Sequence, residues 1–282
     1  MIYEYLGTPG SGKSYHAADN IYHWLRYGKK NVICNFSVDI RRIFYTRLGR
    51  IKFKLSSLFH HDFKKYNSKP IKNHYFFCDN SDLTPAYLVK FAQEHHKVKT
   101  IFIDGVEQRM YLEGQTTVII DECAVLFNCR MWQNSNREEW CEFLRQHRKY
   151  GYDFILITQS EILLDKQIRP LIETIVMHRN LKYFNWFSSI ISFLCGGSTF
   201  VSLYRWQGTR EVYHREIYKY KSHIAGIYNS YQIFSPASAA DAEAAPQRGT
   251  KRGRGTASAP PKDNKNNEEV LECVKEFLVP NS

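Results

Sequence analysis

The sequence predicts an α/β domain with a mostly parallel central sheet flanked by helices. Three observations lead to this fold class. Near the start, a strand, a glycine-rich loop, a helix and a second strand follow one another directly. Further along, short apolar segments alternate with segments of helical periodicity, as in parallel sheets. Finally, the 282 residues are 43% hydrophobic and 24% charged, which excludes a mainly disordered or collagen-like chain.

The first three elements form one unit. Residues 1–6 read as a short buried strand. Residues 13–27 read as a helix in which Ile21 and Trp24 lie on the apolar face. Residues 31–36 read as the next strand. A strand–helix–strand run of this kind predicts a right-handed parallel unit.

The remaining elements are read from the same signals. A short apolar, β-branched run is typical of a buried parallel strand. Helical spacing that ends at a glycine, as at Gly151, is typical of a helix C-terminus. Strands are predicted on this basis at 75–78, 100–104, 117–121, 153–158 and 172–177. Helices are predicted from a cap at Ser81 to about residue 95, and from Glu138 to Tyr150.

The composition divides the chain into three parts. Residues 1–180 are predicted to form the α/β domain, with a basic insertion at 40–72, and residues 181–234 an aromatic hairpin or membrane-proximal extension. Residues 235–282 begin with a stretch rich in Ala, Ser, Pro, Gly and basic residues that cannot bury a core, which predicts a disordered tail. A short amphipathic helix is expected within this tail, near 268–278.

One uncharged run is long enough to cross a bilayer. It comprises the 22 residues 183–204. Its Asn, Ser, Gly and Thr residues dilute the apolar ones, which argues against a membrane span. We therefore expect a buried or interfacial aromatic hairpin with strands at 200–204 and 211–218, and membrane insertion is the alternative.

The positive charge is concentrated in the basic insertion. The chain carries a formal net charge of +11, and residues 40–72 contain ten Lys or Arg against one acid, Asp62. Such a surface favours phosphates, in nucleic acid or in anionic lipid headgroups. The alternative is a solvated basic face. The seven cysteines form no C-x-x-C pair, which indicates neither a disulfide framework nor a zinc ribbon and fits a reducing compartment.

The strongest motif is GTPGSGKS, which matches G-x-x-x-x-G-K-[ST], the phosphate-binding loop of nucleoside triphosphatases. It lies between a predicted strand and a predicted helix. Its glycines let successive N–H groups face a phosphate, and the helix N-terminus adds positive potential. The loop is therefore predicted to bind nucleotide, with Lys13 on the β- and γ-phosphates and Ser14 on Mg²⁺. Its members are Gly7, Thr8, Pro9, Gly10, Ser11, Gly12, Lys13 and Ser14.

Two acidic residues and a glutamine follow buried strands. Asp121, at the end of the strand that contains Val118–Ile120, is predicted to hold Mg²⁺. Glu122 is predicted to polarise the attacking water as a general base. Gln159, at the end of DFILIT, is predicted to lie beside the γ-phosphate. The alternative for Gln159 is an ordinary strand-to-loop transition. Because no N/T-K-x-D guanine-reading motif is present, ATP is the expected nucleotide.

Two arginines lie on the helix before DFILIT. Arg145 or Arg148 is a candidate arginine finger, acting in trans on a neighbouring subunit, which requires a homo-oligomer. The alternative is that these arginines pair with acids on their own surface.

Taken together, these segments resemble the Zot (zonula occludens toxin-like) family, which includes the gene I assembly ATPases of filamentous phages. The matching segments are GTPGSGKSYHAA at 7–18, VIIDECAVLF at 118–127 and HRKYGYDFILITQ at 147–159. A looser match runs from residue 181 to residue 234. The phosphate loop occurs in many families, whereas HRKYGYDFILITQ combined with an Asp-Glu strand is more specific.

The resemblance implies an ATP-hydrolysing motor for filamentous virion assembly and extrusion, in the host cytoplasm at the cytoplasmic face of the inner membrane. It implies a multimer with phage assembly and host envelope proteins as partners. Lys13 and Ser14 would bind phosphate and Mg²⁺, Asp121 would hold Mg²⁺ and Glu122 would promote hydrolysis. Family members commonly carry a transmembrane helix after the ATPase domain, whereas the polar tail has none. We therefore expect a cytoplasmic form, or one that reaches the membrane through the uncharged run, the basic insertion or a partner.

Two other functions remain open. A DNA-translocating or packaging ATPase of the same class would use the basic insertion to contact DNA, such as phage single-stranded DNA or its coat complex. A non-enzymatic effector acting on host junctions or membranes would have to be secreted. The sequence starts directly with a strand and shows no signal peptide, so this function is disfavoured.

Overall fold

The computed structural model describes residues 1–28, 30–44, 51, 74–103, 106–128, 136–183 and 198–228. The strands are β1 (Ile2–Leu6), β2 (Asn31–Cys34), β3 (Tyr75–Phe77), β4 (Val98–Ile103), β5 (Val106–Tyr111), β6 (Thr116–Ile120), β7 (Tyr152–Thr158), β8 (Thr174–Asn180), β9 (Thr199–Trp206) and β10 (Val212–Lys219). The α-helices are α1 (Lys13–Tyr27), α2 (Ile40–Phe44), α3 (Pro85–His95), α4 (Asn136–Gln146) and α5 (Ser222–Ala225).

Eight of these strands form one sheet, in the order β10-β9-β8-β1-β7-β6-β2-β3. The neighbouring strands from β8 to β3 are paired in parallel. β9 and β10 are added antiparallel beyond β8. The predicted fold class, α/β with a mostly parallel sheet and an aromatic hairpin, is therefore confirmed. The hairpin strands continue the sheet itself, beside β8.

Both faces of the sheet are covered by helices, which explains why its strands are apolar throughout. Alternate residues of β7 point to opposite layers: Phe154 and Leu156 belong to one apolar cluster, and Ile155 to the other. The first cluster also contains side chains of α3 and α4, such as Leu88 and Trp140. The second contains apolar side chains of α1, α2 and α5.

Two helix boundaries differ from the sequence prediction. The predicted cap at Ser81 is wrong, because the Thr84 hydroxyl accepts the Tyr87 N–H at 3.2 Å and caps α3, with Pro85 at the first helical position. The predicted helix up to Tyr150 is too long, because α4 ends at Gln146 and a 3₁₀ turn, His147–Tyr150, follows it.

The predicted strand at 100–104 is present but does not belong to the main sheet. It is part of β4, which pairs antiparallel with β5 in a separate two-stranded sheet. β5 was not predicted from the sequence. The strands were predicted from buried apolar runs, and this strand carries the exposed charged residues Glu107 and Arg109 instead.

Several sequence predictions fall outside the described residues. They concern most of the basic insertion (45–50 and 52–73), part of the uncharged run (184–197) and the tail 235–282 with its amphipathic helix. Within the part of the chain that is described, no helix combines the length and the apolar character needed to cross a bilayer.

Glu4, in the centre of β1, is a buried carboxyl in an apolar layer. Its side chain is fully buried, and neither carboxyl oxygen has a hydrogen-bond partner among the described residues. Burial, reinforced by Glu161 and opposed by Arg169, raises the pKa of Glu4 from 4.5 to about 8. The carboxyl is therefore mostly protonated at pH 7 in the folded protein, whereas it is ionised in the unfolded chain.

We predict that Glu4 makes the protein less stable as pH rises. Between the unfolded pKa of 4.5 and the folded pKa of about 8, the native state binds the extra proton, so the free energy of unfolding falls. The expected slope is about 1 kcal/mol per pH unit. Urea denaturation of wild type and Glu4→Gln at several pH values measures it, with the exposed Glu139→Gln as control. Equal slopes in wild type and Glu4→Gln would contradict the prediction.

Candidate phosphate-binding site

The predicted site residues converge at the carboxyl edge of the sheet. β1 leads into the loop 7–12, and the neighbouring β7 ends in register with it, since Leu6 pairs with Thr158. Gln159 therefore emerges beside the loop. β6, on the other side of β7, ends at Ile120 and places Asp121 and Glu122 at the same edge. The carboxyl edge of a parallel sheet is where α/β domains bind ligands.

Gly12 adapts the loop to its surroundings. It is the residue before α1 and has φ of 99°, a backbone conformation that residues with a side chain rarely adopt. A Cβ at this position would lie 2.6 Å from the ring of Phe200 in β9. The loop can therefore approach the aromatic hairpin closely only with glycine here.

Lys13 lies within the loop and is held by it. Its ammonium donates to the carbonyl oxygens of Gly7 at 2.7 Å and Thr8 at 3.2 Å. A lysine ammonium has three donors, so one remains for a phosphate oxygen. Burial lowers the pKa of Lys13, and the charges of Asp121 and Glu122 oppose that effect.

Ser14 and Asp121 form the candidate Mg²⁺ site. The Ser14 hydroxyl donates to Oδ2 of Asp121 at 3.0 Å, and Oδ1 of Asp121 accepts the Glu122 N–H at 2.9 Å. Burial is the largest effect on Asp121 and raises its pKa, which the two hydrogen bonds counteract. A hydroxyl and a carboxylate side by side are oxygen ligands that suit Mg²⁺, so the residues present fit this ion.

Glu122 is joined to Gln159 rather than standing alone. The Gln159 amide nitrogen donates to Oε1 of Glu122 at 3.0 Å. Glu122 adopts φ of 48°, the left-handed region, which turns the chain at the end of β6. Glu122, the predicted base, and Gln159, predicted to lie beside the γ-phosphate, are therefore in direct contact.

Arg145 and Arg148 do not join this cluster. Both side chains are exposed, and both residues precede β7, so they lie towards the opposite, amino edge of the sheet. Arg148 donates to the Glu173 carboxylate at 3.2 Å. Their arginine-finger role stays a prediction, and within one chain neither arginine lies beside the loop.

Sequence reasoning missed three groups of residues around the site. The Asn35 side chain, after β2, bonds the backbone of Asp121. Asn180, at the end of β8, donates to the Gly10 carbonyl at 3.3 Å. The signal that could have found both is the one used for Gln159: a polar residue at the carboxyl end of a buried strand.

The third missed group is a histidine pair below the loop. Nδ1 of His16 in α1 lies 2.8 Å from Nε2 of His178 in β8, and both rings are buried. Burial lowers the pKa of His16 to about 4 and that of His178 well below its usual range. Both rings are therefore neutral at pH 7, so one nitrogen donates and the other accepts.

Aromatic residues of the hairpin pack on the start of α1. Tyr15, the residue after Ser14, stacks with Phe200 and Tyr218 at centroid distances of 5.5 and 5.9 Å. All three rings are buried. The hairpin therefore supports the helix that carries Lys13 and Ser14.

We predict that Gly12→Ala destabilises the protein more than Gly10→Ala. Both substitutions force a side chain into a positive φ, but only Gly12 has Phe200 in the way; a Cβ on Gly10 meets nothing within 4 Å. The overpacking should add about 1–3 kcal/mol. Thermal unfolding of the two variants measures the difference, and the double variant Gly12→Ala/Phe200→Ala should recover part of it. Equal melting temperatures for Gly12→Ala and Gly10→Ala would contradict this account.

Comparison with known proteins gives a similar phage protein and two similar crystal structures. The chain is 37% identical over 83 residues to the Gene 1 protein of Enterobacteria phage I2-2, which covers 28% of this chain and 23% of that protein. The similarity thus spans less than a quarter of the phage protein's length. Two crystal structures are also similar. One is the N-terminal domain of zonular occludens toxin from Neisseria meningitidis, with 16% identity, 81% and 98% coverage of the two chains and a TM-score of 0.42. The other is B204, the DNA-packaging ATPase of Sulfolobus turreted icosahedral virus, with 20% identity, 77% and 96% coverage and a TM-score of 0.41.

A family model described as zonular occludens toxin (Zot) matches residues 1–232, which is most of the chain. This match includes the phosphate loop, the Asp121–Glu122 strand end, Gln159 and the aromatic hairpin. The chain belongs to the zonular occludens toxin (Zot) family.

Proposed function

We propose that this protein is an ATPase that drives assembly and extrusion of a filamentous phage virion at the host inner membrane. One observation carries the ATPase part of the proposal. Ser14, Asp121, Glu122 and Gln159 come from three segments far apart in sequence and are joined by hydrogen bonds at one edge of the sheet. Lys13 is held beside them by the Gly7 and Thr8 carbonyls of the loop.

Each of these residues has a defined role in the proposed hydrolysis. The loop N–H groups and the third donor of Lys13 bind the phosphates of ATP. The Ser11 hydroxyl, buried without a partner among the described residues, is a further group that a phosphate oxygen could satisfy. Ser14 and Asp121 hold Mg²⁺, which supplies positive charge to the phosphates. Glu122 accepts the proton of the attacking water, and Gln159 keeps the Glu122 carboxylate in place.

Family membership and the similarity to a phage Gene 1 protein support the assembly role. In this proposal the protein acts in the host cytoplasm, at the cytoplasmic face of the inner membrane, with phage assembly and host envelope proteins as partners. An anionic membrane surface is the proposed contact of the basic insertion.

The proposal includes a homo-oligomer. Arg148 and Arg145 are exposed and lie away from the loop of their own chain. A head-to-tail ring joins two different surfaces of neighbouring subunits, so these arginines could reach the loop of the next subunit. Arg148 would exchange its ion pair with Glu173 for the γ-phosphate of the neighbour.

A DNA-translocating or packaging ATPase is the second candidate, favoured by the density of basic residues at 40–72. Within this insertion, Arg42 is already engaged, with Asp39 at 2.8 Å and with the Gly226 carbonyl. Arg41 is exposed, so Arg41 rather than Arg42 is the residue to neutralise in a test of DNA contact.

We predict that Lys13→Ala abolishes ATP hydrolysis and that Glu122→Gln retains ATP binding while hydrolysis falls by about 10²–10⁴-fold. The glutamine keeps the shape of Glu122 but cannot accept a proton. Phosphate release and binding of a fluorescent ATP analogue measure the two effects. Lys90→Ala, on the exposed side of α3, serves as the control. Normal hydrolysis by Glu122→Gln would show that the base is another residue.

We predict that anionic liposomes, but not DNA, raise the Lys13-dependent turnover several-fold. The measurement compares the protein alone, with anionic or neutral liposomes, and with single-stranded or duplex DNA. Stimulation by DNA that disappears at higher salt and on neutralising Arg41 and Lys64 would instead support the DNA motor, because phosphate contacts depend strongly on salt.

A further inference from the structure

Asn35, the residue after β2, is bonded to Asp121 on both sides of its backbone. Its Oδ1 accepts the Asp121 N–H at 2.8 Å, and its Nδ2 donates to the Asp121 carbonyl at 2.9 Å. The Asn35 side chain is buried. A side chain that pairs with both the N–H and the C=O of one residue reproduces the two bonds of a hydrogen-bonded pair in an antiparallel sheet, here at the end of a parallel pair of strands.

These bonds extend the sheet beyond the point where the strands stop. β2 and β6 pair as far as Cys34 and Ile119, and the Asn35 N–H lies 3.4 Å from the Ile119 carbonyl. One residue after Asp121, the chain turns through the left-handed conformation of Glu122, which is unfavourable for a residue with a side chain. Fixing Asp121 on both sides therefore determines where this turn occurs.

We infer that Asn35 is a positioning residue for Asp121 and Glu122, and this inference rests on the proposed ATPase function. With its backbone held, Asp121 directs one carboxylate oxygen to Ser14 and the other to the Glu122 N–H. Glu122 in turn meets Gln159. Asn35 thus aligns the Mg²⁺ ligands and the base through the backbone of Asp121.

The chemistry requires a side-chain amide at this position. The side chain must both accept from an N–H and donate to a C=O, which an amide does and an ionised carboxylate does not. The second amide proton of Asn35 goes to Oδ1 of Asn80 at 2.9 Å, and Asn80 is also buried. Asn80 therefore accepts from Asn35 but makes no hydrogen bond to Asp121 in the structure, so its substitution provides a matched control.

The experiment uses the full chain with Asn35→Ala, Asn35→Asp and Asn80→Ala. Three quantities are measured: the melting temperature, hydrogen exchange of the peptide covering 119–125, and ATP binding and hydrolysis as functions of Mg²⁺ concentration, with EDTA as the Mg²⁺-free reference.

Asn35→Ala should exchange this peptide roughly tenfold faster, because it loses both hydrogen bonds to the Asp121 backbone. Asn35→Asp should also exchange it faster, because a carboxylate cannot donate to the Asp121 carbonyl. They should raise the Mg²⁺ concentration for half-maximal hydrolysis by about 10–100-fold, the usual effect of removing a residue behind a metal ligand. ATP binding in EDTA should change little. Asn80→Ala should lose stability without changing the Mg²⁺ requirement or the exchange of this peptide.

The inference is overturned if Asn80→Ala raises the Mg²⁺ requirement as much as the Asn35 variants do. It is also overturned if the Asn35 variants exchange the 119–125 peptide at the wild-type rate. If the wild-type protein neither binds nor hydrolyses ATP, the proposed function fails, and hydrogen exchange then decides by itself whether Asn35 holds the backbone of Asp121.

Discussion

The site depends on the parallel register of β1, β7 and β6. Because β7 lies between the other two, the loop that follows β1 and the acidic pair that follows β6 are separated by one strand. That spacing lets Ser14, at the start of α1, reach Asp121 across the end of β7. It also places Gln159, which follows β7, against Glu122. A shift of one residue in either pairing would turn these side chains to the other face of the sheet.

The polar groups at this edge of the sheet are largely buried, so each of them needs hydrogen-bond partners within the protein. A buried polar group is costly unless it is hydrogen-bonded, so partners must be supplied by the fold. Lys13 has two loop carbonyls, Asp121 has Ser14 and a backbone N–H, and Asn35 has all its amide groups paired. Glu4 does not meet this requirement, because its buried carboxyl has no hydrogen-bond partner among the described residues. Burial therefore favours the neutral form and raises the pKa of Glu4.

The aromatic hairpin contributes to the site through packing. Phe200 lies against Gly12, and Tyr15 is stacked between hairpin rings at the start of α1. These aromatic side chains therefore cover the start of the helix that carries the phosphate-binding lysine. His16 and His178 extend this contact below the loop as a buried neutral pair.

The sequence alone determined the fold class, the phosphate loop and the acidic strand end, because each depends on local patterns: apolar strands, helical periodicity and a motif of fixed spacing. The strand order could not be predicted from the sequence. Only the tertiary structure therefore showed that Gln159 contacts Glu122 and that Arg148 lies away from the loop of its own chain. Asn35 shows the reason most clearly. Its position at the end of a strand makes it one candidate among many, and it becomes part of the site only because β2 and β6 are neighbours and their ends meet. Long-range pairing, which local propensity does not encode, decided which polar residues came together.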